Sequence, residues 1–124
     1  MGRHVAMRRL VILALTVASA AVASQSVVRA AEPVDYVTQV KPILSAHCYA
    51  CHGALKQESE LRLDTGRLAR KGGESGTAIV PGDPDKSLLL ERLRTDDKSL
   101  RMPPEGQGER LKPSELKVLI EWIR

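Results

Sequence analysis

The chain has 124 residues, 43% of them hydrophobic, yet it has no Phe, one Trp and two Tyr, so a single small domain must build its core almost without aromatic bulk. Its 19 Lys and Arg against 15 Asp and Glu give a formal charge of +4. That excess is Arg3, Arg8, Arg9 and Arg29, all ahead of the first acidic residue, Glu32; the rest of the chain is neutral, which removes the main electrostatic support for binding nucleic acid.

In chain order, the first element is an export signal over residues 1–31. Arg3, Arg8 and Arg9 make its charged start and Leu10-Val-Ile-Leu-Ala-Leu15 its apolar centre, with small-residue ends at Ala21-Val22-Ala23 and Val28-Arg29-Ala30. The alternative is an uncleaved membrane anchor, because Leu10 to Val28 carries no charge and is just long enough to span a bilayer. Contact with a membrane is expected only in that second case. Both readings place residues 32–124 in the periplasm or otherwise outside the cytoplasm, where paired cysteines normally form disulfides.

Asp35 to Val40 reads as a separate turn feeding a helix from Pro42 to Cys51, with Pro42 at its first position and Ile43, Leu44 and His47 at helical spacing. Glu60-Leu-Arg-Leu-Asp64 alternates like a short strand, and Thr65 to Arg70 makes one helical turn closed by Gly72-Gly73. The glycine-rich stretch from Gly72 to Gly82 lacks the Gly-Lys-Ser/Thr of a phosphate loop and reads as plain loop. Asp83-Pro84 opens the next helix, whose apolar face is Leu88, Leu89 and Leu93. Thr95 to Arg110 contains Met102-Pro103-Pro104 and must be a loop. Lys112-Pro113 begins a last helix with Leu116, Leu119, Ile120 and Ile123 on one face. The expectation is an all-α domain with long loops, its first and last helices packed together and Trp122 set against the first.

Cys48-Tyr49-Ala50-Cys51-His52 is the Cys-x-x-Cys-His pattern of covalent haem attachment. On a helical turn Cys48 and Cys51 share a face, so both thiols can reach the vinyl groups at one porphyrin edge, and His52 follows where its imidazole can serve as the proximal iron ligand. A redox dithiol should accompany a βαβ pattern, which is absent; a zinc site needs further ligands, and only His47 is on offer. A disulfide would leave His52 without a role. For a second axial ligand, Met102 is the sole methionine after the signal and sits on a proline-stiffened loop. His47 adjoins Cys48 on the proximal side and reads as a surface histidine. Arg101 reads either as a neutraliser of a haem propionate or as a solvated charge.

With these residues in view, the sequence resembles the planctomycete-type cytochrome c domain, a mono-haem c-type cytochrome. The likeness rests on Lys41-Pro-Ile-Leu-Ser45, Cys48-Tyr-Ala-Cys-His-Gly53, Leu61-Arg-Leu-Asp64, Gly72-Gly-Glu-Ser-Gly76, Ile79-Val-Pro-Gly-Asp-Pro84, Ser87-Leu-Leu89, Arg101-Met-Pro-Pro104 and Leu119-Ile-Glu-Trp-Ile123. The resemblance implies a cytochrome c-like helical haem domain over residues 32–124, one haem c with thioethers at Cys48 and Cys51, and axial ligation of its iron by His52 and Met102. It implies one-electron transfer to a redox protein partner or a fused domain. Members of the family usually continue into further domains, so a C-terminus truncated within the Trp122 helix is expected. The alternative function is a haem enzyme or sensor with an open sixth position, acting within a larger exported oxidoreductase.

Overall fold

Asp35 accepts hydrogen bonds from the Thr38 amide at 2.7 Å and the Thr38 hydroxyl at 2.6 Å, and so caps a π-helical turn, Tyr36–Val40. That turn closes with the Lys41 amide on the Tyr36 carbonyl, immediately before Pro42, which has no amide hydrogen to donate. In this computed structural model, which describes residues 32–124, the turn runs directly into α1, Lys41–His47. The export signal or anchor expected over residues 1–31 lies outside the described residues.

Helix α1 stops short of the expected Cys51. The Cys48 and Tyr49 amides both donate to the Leu44 carbonyl, at 2.8 and 3.1 Å, which takes the backbone out of α-helical register before the cysteine pair is complete. The expected strand at Glu60–Asp64 also differs. It follows a 3-10 turn, Glu58–Glu60, and runs without a ladder; the described residues contain only isolated bridges, His52–Gln57 and Gly73–Gly76. Its alternation is real, since Leu63 is buried while Arg62 and Asp64 pair with each other at 2.6 Å, but no neighbouring strand is present to use it.

Thr65 caps α2, Gly66–Lys71, by accepting from the Leu68 amide, and Gly72 ends it at a φ of 81°. A Cβ at Gly72 would collide with the Gly76 carbonyl oxygen, so this close approach of two loop segments requires glycine. The helix expected from Asp83 divides in two. Asp83 does cap, but it caps a 3-10 turn, Pro84–Lys86; α3, Leu88–Arg94, starts after Ser87. Ser87 is the buried polar residue of the described core, and its hydroxyl donates to the Asp83 carbonyl at 2.9 Å while accepting from the Val80 amide at 3.0 Å. Those bonds are worth more to a buried hydroxyl than a continuous helix would be.

The last helix, α4, spans Pro113–Ile123, with the Glu115 carboxylate accepting from the Lys112 amide at 2.8 Å. It packs chiefly on the π-helical turn and on α3. Its link to α1 is His47 Nε2 to Glu115 Oε1 at 3.4 Å, so the expected pairing of first and last helices is a contact at one end. Trp122 meets Tyr36 of the π-helical turn, ring centroids 5.4 Å apart and planes tilted by 35°. Val40, Leu44, Leu63, Leu90 and Leu119 form the deepest core, an aliphatic set contributed by almost every segment. The all-α architecture with long loops stands as expected.

Candidate functional site

The Cys48–His52 turn is built by its own backbone. The His52 amide donates to the Cys48 carbonyl at 2.8 Å and the Cys51 amide to the same oxygen at 3.1 Å, which curls the five residues into one compact loop at the end of α1. The next residues pin it from outside: the Leu63 amide donates to the His52 carbonyl at 2.8 Å, and the Glu58 amide to the Cys51 carbonyl at 3.0 Å. Gly53 is the tightest point, since a Cβ there would strike the Tyr49 carbonyl oxygen. Replacing Gly53 by Ala should therefore cost about 1–3 kcal/mol, as overpacking does, and distort the turn itself. Urea unfolding of the variant checks the stability loss, and its yield of haem-loaded protein checks the turn.

The second segment is the Thr95–Arg110 loop, which is a loop as expected. The Met102 amide donates to the Arg92 carbonyl at 2.8 Å, fastening the methionine to the C-terminal half of α3. Pro103 beside it is buried, and Arg101 donates through Nε to the Pro103 carbonyl at 3.1 Å, bracing the loop.

These two segments, 50 residues apart at His52 and Met102, line one cavity of about 530 Å³. Cys48, Cys51, His52 and Met102 all border it, and Leu61, Leu63, Leu89 and Leu93 supply apolar wall. Its size falls within the range of about 300–1,000 Å³ typical of small-molecule and cofactor sites. The residues fit a flat apolar group with an iron centre for a further reason. His52 Nδ1 and the Tyr49 hydroxyl are the buried side-chain polar atoms without a hydrogen-bond partner among the described residues, and of the two residues only His52 borders the cavity, where a bound group could satisfy it. Both cysteines are free.

Burial pushes the Cys48 thiol up to about 12. A redox dithiol needs the opposite, a lowered thiol that is a thiolate near neutrality, so Cys48 is poorly set up for disulfide exchange. The sign for stability follows by linkage. Between the thiol's ordinary value of 9.0 and about 12 the unfolded chain loses this proton and the folded chain keeps it, so the contribution is intact below pH 9 and falls as pH rises through that window. For the haem-free chain, the urea midpoint should drop between pH 9 and 12, and Cys48→Ser should remove the part of the drop that belongs to this thiol. Burial raises the Tyr49 hydroxyl as well, so the difference between the two proteins is the quantity to read.

Of the other residues singled out from sequence, His47 borders the cavity but is engaged by Glu115, and its hydrogen bond to that carboxylate helps hold Glu115 below the usual carboxylate range, after the Lys112 amide. Trp122 is not among the cavity's lining residues; it borders a separate small hollow with Arg70, Ile79 and Pro81. Sequence reading missed Arg92. It lies four residues after Leu88 and three after Leu89, on the same face of α3, and borders the cavity with them. That spacing was the available signal, hidden because a charge was not sought on an apolar face.

Residues 48–106 match the family model for planctomycete cytochrome c. No match was found among curated proteins or among solved structures.

Proposed function

With a planctomycete cytochrome c segment spanning residues 48–106, we propose that the domain binds one haem c through thioethers at Cys48 and Cys51, ligates its iron with His52 and Met102, and transfers single electrons outside the cytoplasm. The observation that carries this reading is the convergence of these four side chains, from two distant segments, on one largely apolar cavity with a buried histidine nitrogen left without a partner. When bound, the haem supplies a one-electron iron couple.

The chain's own residues do the rest. The backbone bonds of the Cys48–His52 turn fix the spacing of both thiols and the imidazole before any attachment occurs. Leu61, Leu63, Leu89 and Leu93 exclude water from the cavity, which favours the less charged, reduced state of an iron site. Met102 offers a soft thioether from a loop tied to α3, and such a ligand raises the potential. Were His52 and Met102 both to hold the iron, no position would be left for a substrate, so electron exchange with a redox protein partner is the function these residues favour. The exported location rests on the attachment chemistry and on the sequence of residues 1–31; no helix among the described residues is long and apolar enough to cross a membrane.

The test is mass spectrometry with a visible spectrum on protein made in a host competent for haem c maturation, after denaturing extraction of loose haem. The expected result is a chain heavier by one haem with a reduced c-type spectrum. A colourless chain with free or disulfide-linked Cys48 and Cys51, from a host that matures a control cytochrome, would falsify the proposal.

A further inference from the structure

Haem carries two propionate carboxylates, and a carboxylate at the edge of an apolar cavity needs a cation or several donors. Among the described residues lining the cavity, Arg92 is the one Lys or Arg. It is half-buried, and among the described residues its guanidinium forms no ion pair or hydrogen bond, although Asp97 lies close enough for its carboxylate to feel the positive charge. Arg101 does not border the cavity and is occupied with the Pro103 carbonyl. Glu109, the cavity's acidic neighbour, is exposed and sits on the loop.

We propose that Arg92 binds a haem propionate through its guanidinium and, by placing a fixed positive charge at the haem edge, raises the reduction potential. This rests on the haem reading above and assigns a residue to that site. The same residue then holds both parts of the environment of the iron: its carbonyl anchors the Met102 amide, and its side chain anchors the porphyrin edge. Arg is suited to this because its planar fork matches a carboxylate in a bidentate way. The two roles separate experimentally, since a side-chain substitution leaves the carbonyl in place.

The experiment compares midpoint potentials of the haem-loaded full chain for wild type, Arg92→Gln, Arg92→Lys and Arg94→Gln. Arg94 is the control: it lies on the same helix, carries the same charge and faces outward, 3.5 Å from Asp85. Arg92→Gln should lower the ratio of reduced to oxidised protein at a fixed applied potential about tenfold, a shift of about 59 mV for a one-electron couple, with the methionine-ligated spectrum retained. Arg92→Lys should fall between it and wild type, and Arg94→Gln should stay close to wild type. Equal shifts in Arg92→Gln and Arg94→Gln, or none in either, would overturn the assignment while leaving the haem reading intact. A wild-type chain without haem would instead overturn the reading on which the assignment rests.

If Arg92→Gln fails to mature, haem and haem dimethyl ester are titrated into the chain carrying Cys48→Ala and Cys51→Ala. With Arg92 present the ester, whose carboxylates are masked, should bind about tenfold more weakly. With Arg92→Gln added, the two should bind alike. Equal binding of haem and ester in the presence of Arg92 overturns the assignment.

Discussion

Replacing Cys48 and Cys51 together by Ala should give a protein from which denaturing extraction removes all haem, whereas either single replacement should leave one thioether and a chain that stays coloured. The expectation follows from the separation of attachment from the rest of the site. The thiols border the cavity, but its apolar wall is made by leucines, and the proposed ligands His52 and Met102 are held by backbone hydrogen bonds that do not involve either sulfur. The double variant therefore keeps a place for the porphyrin and loses only the covalent bonds. Each substitution removes one small, half-buried side chain, a modest loss of packing beside that of a Leu in the deepest core. Mass spectrometry of extracted protein reads the result directly. Haem retained on the double variant would place attachment elsewhere and sink the assignment of both cysteines.

Replacing Met102 by Ala should convert a low-spin, six-coordinate spectrum into one of weaker field, with covalent attachment unaffected. The backbone of residue 102 is bonded to the Arg92 carbonyl through its amide, which Ala retains, and the neighbouring Pro103 is buried. The loop should then stay in place while the thioether is lost. The potential should fall by on the order of a hundred millivolts, a fraction of the ~0.8 V range over which axial ligands set haem potentials. Spectra and a redox titration of the same sample measure both effects. A spectrum identical to that of the parent would show that Met102 is not the ligand, and would favour a haem with another sixth ligand or none.

The largest effects thus attach to residues that composition and spacing already marked. Cys48, Cys51 and His52 stood out by a fixed local interval, which is what a sequence displays, and Met102 by elimination; the structure brings all four to the lining of one cavity. The α4 face of Leu116, Leu119, Ile120 and Ile123 was legible by period, and Leu119 and Ile123 are indeed buried. Thr65, Asp83 and Pro113 marked the starts of their elements for equally local reasons.

What the sequence alone determined was therefore local: which residues stand at an attachment interval, which stretches coil, and where proline forbids a helix. Tertiary structure decided what those stretches meet. Helix α1 ends after His47, where the Cys48 and Tyr49 amides share the Leu44 carbonyl, and the helix expected at Asp83 divides at Ser87, whose buried hydroxyl bonds the nearby Val80 amide and Asp83 carbonyl. Leu61 to Asp64 had the alternation of a strand without a neighbour to pair with. Trp122 found Tyr36, and Arg92 came to the cavity on a face that otherwise carries leucine. The meeting of Trp122 with Tyr36 and the arrival of Arg92 at the cavity depend on residues far along the chain, and the desolvation cost or gain of such meetings has no signature in the neighbouring sequence.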